Sequence, residues 1–247
     1  MIKAWGIATA IIGVAFVLPA TAQTYGDTLT ATLAAKRPDI VAIAIDANGK
    51  GGKPIHIAWG PQNGPSSSAP LVNAVGEPIG TITVWARKLI DAKPVARAAS
   101  RRIYVADNLA EPDPFVPGAV RAPRAQALVD TMIDAYPDLV TLAMHVALPG
   151  AQNTIIASNF GRIGKAADKD DDDVIANGIV RKEVTNGGRR LAVELPQLDA
   201  RRRVIGALST SFTMKDAADE PRVLARAIAL RDALARRTPS VAALAGK

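Results

Sequence analysis

The chain has 247 residues, 49% of them hydrophobic and 21% charged, with a formal net charge of +7 and no cysteine. Such a composition suits a globular protein of one or two domains and excludes disulfide scaffolds, thiolate metal sites and cysteine nucleophiles. Aromatic residues are only 4%, too few for a base-stacking platform, and the arginine clusters (Arg101-Arg102, Arg189-Arg190, Arg201 to Arg203, Arg236-Arg237) fall in different predicted elements. They read as solvated faces, and no nucleic-acid partner is expected.

The first 22 residues read as a secretory signal peptide, with Lys3 at a basic start, an apolar core over 7–18 and Ala20-Thr21-Ala22 as the cleavage site before Gln23. The core is too short for a stable transmembrane helix, and no later stretch could span a bilayer. The expectation is a soluble periplasmic protein with no membrane span after signal cleavage.

Asp27 is a candidate cap for a helix ending near Arg37-Pro38. Residues 40–46 are rich in β-branched side chains and predict a strand, returned by residues 55–59 across Asn48 to Gly52. After a loop at 60–70 comes a hairpin over 71–85. A helix is expected over 91–108, with Pro94 in its first turn. Four prolines between Glu111 and Pro123 mark a linker. Beyond it the spacing predicts a helix over 124–136, a strand over 139–147, a short helix ending at Asn177-Gly178, strands over 180–185 and 190–195, and a helix over 221–237.

The hairpin at 195–212 repeats the one at 69–84. Pro196, Ala200, Ile205 and Gly206 stand where Pro70, Ala74, Ile79 and Gly80 stand in the first copy. Pro137-Asp138-Leu139-Val140 likewise repeats Pro38-Asp39-Ile40-Val41. The offset is 99 residues at these strands and 126 at the hairpins, so the second copy carries 27 extra residues between the two anchors. This pattern divides the chain into a signal peptide (1–22), a reduced first module (23–110), a linker (111–123) and a fuller second module (124–247).

The element order of each copy resembles a PAS-like module. Residues 124–214, through IIASNFGRIGKAADKDD (155–171), IANG (175–178) and LPQLDARRRVIGAL (195–208), resemble Cache domains, the extracellular PAS-like sensors of bacteria. The resemblance implies an α+β fold of two modules, each an antiparallel sheet flanked by helices, with the first reduced because it lacks the asparagine-to-glycine segment that helps enclose the family's ligand pocket. A ligand site is therefore expected in the second module. Cache domains usually sit in receptors with a cytoplasmic output, and this sequence offers neither span nor output segment.

Within that segment, Arg162 and Lys165 bracket the glycine-containing loop Gly161 to Gly164 beside Ser158 and Asn159. Fixed cations and backbone amides at a sheet edge suit a small anion such as a carboxylate. His145, at the end of a strand, and Tyr136, at the end of the preceding helix, complete the candidate ligand set. His56 reads as structural. Two histidines in separate modules make a poor metal site. The acidic run 168–173 mimics the start of an EF-hand loop but lacks its glycine and terminal glutamate, and aspartates at a helix start explain it through capping. No nucleophile elbow or carboxylate pair stands out, so no catalytic residues, metal or cofactor are expected. The expected function is non-enzymatic: a small molecule orders the 159–178 segment, and an envelope partner reads the change through the C-terminal helix. The alternative is an envelope scaffold with no ligand.

Overall fold

The computed structural model describes residues 23–246, so the expected signal peptide lies outside the described residues. Helix α1 (Tyr25–Ala35) opens on a reciprocal cap. The Thr24 hydroxyl accepts the Asp27 N–H at 3.2 Å, and the Asp27 carboxylate takes the Thr24 N–H at 2.8 Å. Asp27 is thus the third helical residue of a capping box, and the cap itself is Thr24, whose extended backbone turns its hydroxyl onto the helix.

Strands β1 (Ile40–Asn48), β2 (Pro54–Trp59), β3 (Ser66–Val72) and β4 (Pro78–Ala86) form a four-stranded antiparallel sheet in the order β2-β1-β4-β3. Helix α2 (Lys93–Ser100) packs on β3. The helix expected to run to residue 108 stops at Ser100 because the chain is drawn off to satisfy the β3–β4 turn. Ile103 is fully buried and accepts the Ala74 N–H at 2.7 Å, and the Tyr104 carbonyl accepts the Asn73 side-chain amide at 3.0 Å.

The second half repeats this plan with additions. Helix α3 (Pro123–Ala135) precedes β5 (Leu139–Ala147) and β6 (Asn153–Ser158). Then come α4 (Lys169–Asn177), β7 (Arg181–Thr185), β8 (Arg190–Leu198), β9 (Val204–Thr213), α5 (Glu220–Arg237) and α6 (Val241–Ala245). The sheet order is β6-β5-β9-β8-β7, so β5, β6, β8 and β9 take the places of β1, β2, β3 and β4. Helix α4 and strand β7 are the additions. The fold is α+β, with two antiparallel sheets of four and five strands flanked by helices. Among the described residues no helix is long and apolar enough to cross a membrane.

The two copies agree in register. Asp46 pairs with His56 and Thr81, and His145 pairs with Ile155 and Ala207. Both hairpin turns use one device. Asn73 Oδ1 accepts the N–H groups of Val75 and Glu77, and Asp199 Oδ1 accepts those of Arg201 and Arg203. Both repeated glycines serve close approach. A Cβ on Gly80 would lie 1.9 Å from the Asp46 carbonyl oxygen, and one on Gly206 would lie 2.2 Å from that of His145. Those two carbonyls belong to equivalent residues.

Each sheet has its own core. In the first, α1 and α2 cover Ile43, Ile45, Ile57, Leu71, Ile82 and Val84. In the second, α3, α5 and α6 pack on Leu142, Met144, Val193, Leu195, Leu208 and Phe212. Val223, Ala227, Leu230 and Leu234 on α5 are fully buried at helical spacing, and burying each larger side chain stabilises the module by about 1.5–3 kcal/mol. Helix α5 is therefore part of the core, and only its outward face is free to meet a partner.

The modules meet through polar groups. Arg101, at the end of α2, donates to the carbonyls of Ile133, Tyr136 and Pro137, which closes the C-terminus of α3. Asn159 donates to the carbonyls of Arg101 and Val140, each at 2.9 Å, and accepts the Leu142 N–H at 2.8 Å. The Tyr25 hydroxyl lies within hydrogen-bond distance of the carbonyls of Arg102 and Asn159. Tyr104 meets Phe160 and the Arg190 guanidinium across the same junction. The Arg101-Arg102 pair, expected to be solvated, is instead drawn into this contact, and Arg102 is 5% exposed. Carbonyls at the end of α3 and the carboxylates of Asp130 and Asp134 in the other module supply the partners that water would otherwise provide.

Replacing Gly206 with alanine drives a methyl group into the His145 carbonyl. The expected result is a loss of roughly 1–3 kcal/mol of stability, read as a lower urea midpoint with an unchanged slope.

Candidate functional site

The two sheets differ most on the faces turned away from their cores. In the first sheet no helix of the described residues lies over this face, and it is exposed around Asp46, although Ala42 and Ala44 farther along β1 are buried. Asp46 and His56 bond to each other at 2.7 Å with side chains 65% and 59% exposed, and Ala58, Ser68, Pro70 and Thr81 beside them are also exposed. In the second sheet the matching face carries Ala143, His145, Glu194, Ala207 and Ser209. Helix α4 lies over it, packed on β8 and β9.

Helix α4 forms where it does because aspartates begin it. Asp168 accepts the N–H groups of Asp170 and Asp171, while Asp171 Oδ2 takes the Asp168 N–H at 3.1 Å. At the other end Gly178 takes the left-handed conformation, φ 64°, that closes a helix. Most of the acidic run faces outward, with Asp170 2.9 Å from Arg181 and Lys169 2.8 Å from Asp173. Asp171 points inward and is 2% exposed. Its Oδ2 lies 3.0 Å from His145 Nδ1, at an angle that falls short of a hydrogen bond, and its Oδ1 accepts the Ser209 hydroxyl at 3.2 Å. Burial pushes the Asp171 carboxyl up, but the contact with His145, the Asp168 amide and Ser209 outweigh it and hold it below the usual carboxylate range.

His145 is set apart by a register shift between Met144 and His145 against β6. The first copy pairs β1 with β2 through the same stretch without one. A bulge of this kind re-aims a side chain, and here it lies at the residue beneath α4.

Glu194 extends the cluster. It pairs with Ser209 on one side and Arg181 on the other, and its Oε2 is buried without a partner among the described residues. Burial, then the charges of Asp171, Asp168 and Asp170, raise its pKa above the ordinary glutamate value. It opens onto a cleft of about 290 Å³ at the edge of α4, lined also by Asp170, Arg181, Lys182, Glu183 and Ala192. Chemically, the face offers an imidazole, a hydroxyl, a carboxyl with raised pKa and two cations. The carboxylate of Asp171 stands between Ser209 and His145, so the serine hydroxyl is not held against an imidazole as an activated nucleophile would be.

The structure separates most of the candidate set. His145 lies under α4. Tyr136 packs against the opposite, core side of the sheet, beneath the Arg226 guanidinium at 5.2 Å. Ser158 donates to the Gly161 carbonyl, and Asn159 is fully engaged at the module junction. Arg162 is paired by both its Nε and Nη2 with Glu111 of the linker, at 3.0 and 2.8 Å. Lys165 is exposed, and its backbone joins Ile155. The Gly161 to Gly164 loop is a docking surface: Gly161 faces the Tyr25 ring, Gly164 faces Ala119, and the Ile163 carbonyl accepts the Phe115 N–H. Asp171, Glu194 and Ser209 were outside the candidate set. Aligning the copies by their offsets points to one of them, since Glu194 replaces Ser68, whereas Ser209 keeps the hydroxyl of Thr83 and gives no such signal. Asp171 belongs to the inserted segment and has no counterpart to compare.

No family model, curated protein or solved structure matches this chain at a significant level.

A raised carboxyl pKa makes the ionised form costly in the folded state, a cost that appears as pH rises through the folded value and vanishes below the unfolded one. Glu194→Gln is therefore expected to raise the melting temperature at pH 7 and to leave it nearly unchanged near pH 4. Thermal melts of both proteins at the two pH values measure this directly. The Asp171 contribution runs the other way, lost as pH falls through its depressed folded value.

Proposed function

We propose that this chain is an exported, non-enzymatic ligand-binding protein of two PAS-like modules of the Cache kind, in which a small polar organic molecule binds against the second sheet beneath α4. One observation carries the reading. The first copy folds around the same sheet order with no helix over that face, so the fold does not require the segment that covers it in the second copy. A costly arrangement of buried acids, an imidazole and a bulge has been added where the first copy manages without. Further support comes from the element order of the second module, strand pair, covering helix and three more strands, which is the order on which the Cache resemblance rests.

On this reading His145, Ser209, Glu194 and Arg181 contact the ligand, and α4 with its flanking loops closes over it. Displacement of Asp171 by the ligand changes the position of α4, and an envelope protein reads the change from the surface of the second module. A ligand-free scaffold role is favoured by a different observation: the face nearest His145 is already filled by Asp171, which leaves only the edge cleft.

Differential scanning with small carboxylates and amino acids separates the two. A true ligand at a hundredfold excess over its Kd raises Tm by roughly 5–10 °C, and His145→Ala or Ser209→Ala removes the shift. A screen without hits, or hits indifferent to both substitutions, would favour the scaffold.

A further inference from the structure

A second cavity, with a lining part apolar and part charged, lies at the module junction, away from α4. It measures about 90 Å³ and is bounded by α1, the linker, α3 and the end of β6. For comparison, an engineered cavity of about 150 Å³ holds benzene, and each liquid water occupies about 30 Å³, so this one has room for roughly three waters or a molecule of about four to six heavy atoms.

Its lining is charged and poorly matched. Asp113, 4% exposed, has one carboxylate oxygen with no partner among the described residues, and the Thr28 hydroxyl is likewise buried without a partner. The ion pairs around the cavity are long. Arg121 stands 3.4 Å from the Asp113 carboxylate and donates to the Asp113 carbonyl at 3.1 Å, and Arg102 stands 3.5 Å from Asp130 and donates to the Ala98 carbonyl at 3.1 Å. Elsewhere in the same protein such pairs close to 2.8 Å (Arg162 with Glu111) and 2.6 Å (Arg226 with Asp138), the usual range for charge-assisted bonds. Charges held apart around this cavity, together with an unpaired carboxylate oxygen on a residue that lines it, suit a hydrogen-bond donor between them.

We propose that this cavity binds a small primary amine that carries an acceptor at its other end. The ammonium group donates to Asp113 and the Thr28 hydroxyl, and the acceptor end meets the Arg102 guanidinium. Thr28, Arg102 and Asp113 come from the first module and linker, and Gln126, Asp130 and Ser158 of the second module line the same cavity, so the ligand lies between the modules. The site is independent of the face under α4, and either can fail alone.

Ethanolamine and glycine are the probes, titrated calorimetrically into the purified chain, with ethylene glycol and glycolate as controls of the same size that lack the ammonium group. Binding of at least one probe is expected, with the size-matched control at least tenfold weaker. Asp113→Asn is expected to weaken binding by tenfold or more, and so is Thr28→Val. Thr28→Val removes a hydroxyl with no partner in the free protein, so its melting temperature without probe stays unchanged and the test survives if Asp113→Asn does not fold. Absence of binding by both probes at millimolar concentration, equal binding of the controls, or binding untouched by Thr28→Val would overturn the proposal and leave the cavity to water.

Discussion

One buried carboxylate organises the second module. Asp171 closes the first turn of its own helix, receives the Ser209 hydroxyl and meets His145 on the strand below. Removing a carboxylate from water is costly unless several groups stabilise its charge, and here they do, since its pKa lies below the ordinary value despite burial. The same side chain thus fixes where α4 begins and which part of the sheet it covers. Glu194, two strands away from β5, lacks such compensation, and Asp171 itself adds to its burden. The cluster is stable at one member's expense, a pattern more typical of sites than of cores.

The duplication separates what the fold needs from what was added. Gly80 and Gly206 both permit a strand to pass close to the same carbonyl, and Asn73 and Asp199 both wrap the hairpin turn around their side-chain oxygens. These are requirements of the sheet, and both copies meet them. Helix α4, strand β7 and the bulge beside His145 occur once. The junction is also unrepeated: Arg101 ends α3 in place of a conventional cap, and Asn159 spends its whole hydrogen-bonding capacity holding the two modules and two strands together.

Much of the architecture was legible in local pattern. The alternating strands, the glycine at the end of α4 and the two offsets led to both sheets and to the inserted segment. The internal alignment set His145 opposite Asp46 and Ile155 opposite His56, and the strand registers agree. What escaped depends on contacts between residues far apart in the chain. Arg162 looked like a free cation in a glycine loop because Glu111, 51 residues away, has no local signature. Arg101 and Arg102 looked solvated because their partners lie on α3 of the other module. Asp171 was hidden among neighbours of the same type, and only the helical phase of α4, which turns it toward the sheet, distinguishes it.

The central claim is that α4 is a cover latched by Asp171 and not a structural necessity of the sheet. Hydrogen exchange on an Asp171→Asn variant tests it most directly. The account predicts faster exchange for amides 169–177 while β5, β8 and β9 keep the protection of the unaltered protein. Loss of protection in the sheet together with the helix would contradict it, because the segment would then belong to the fold itself.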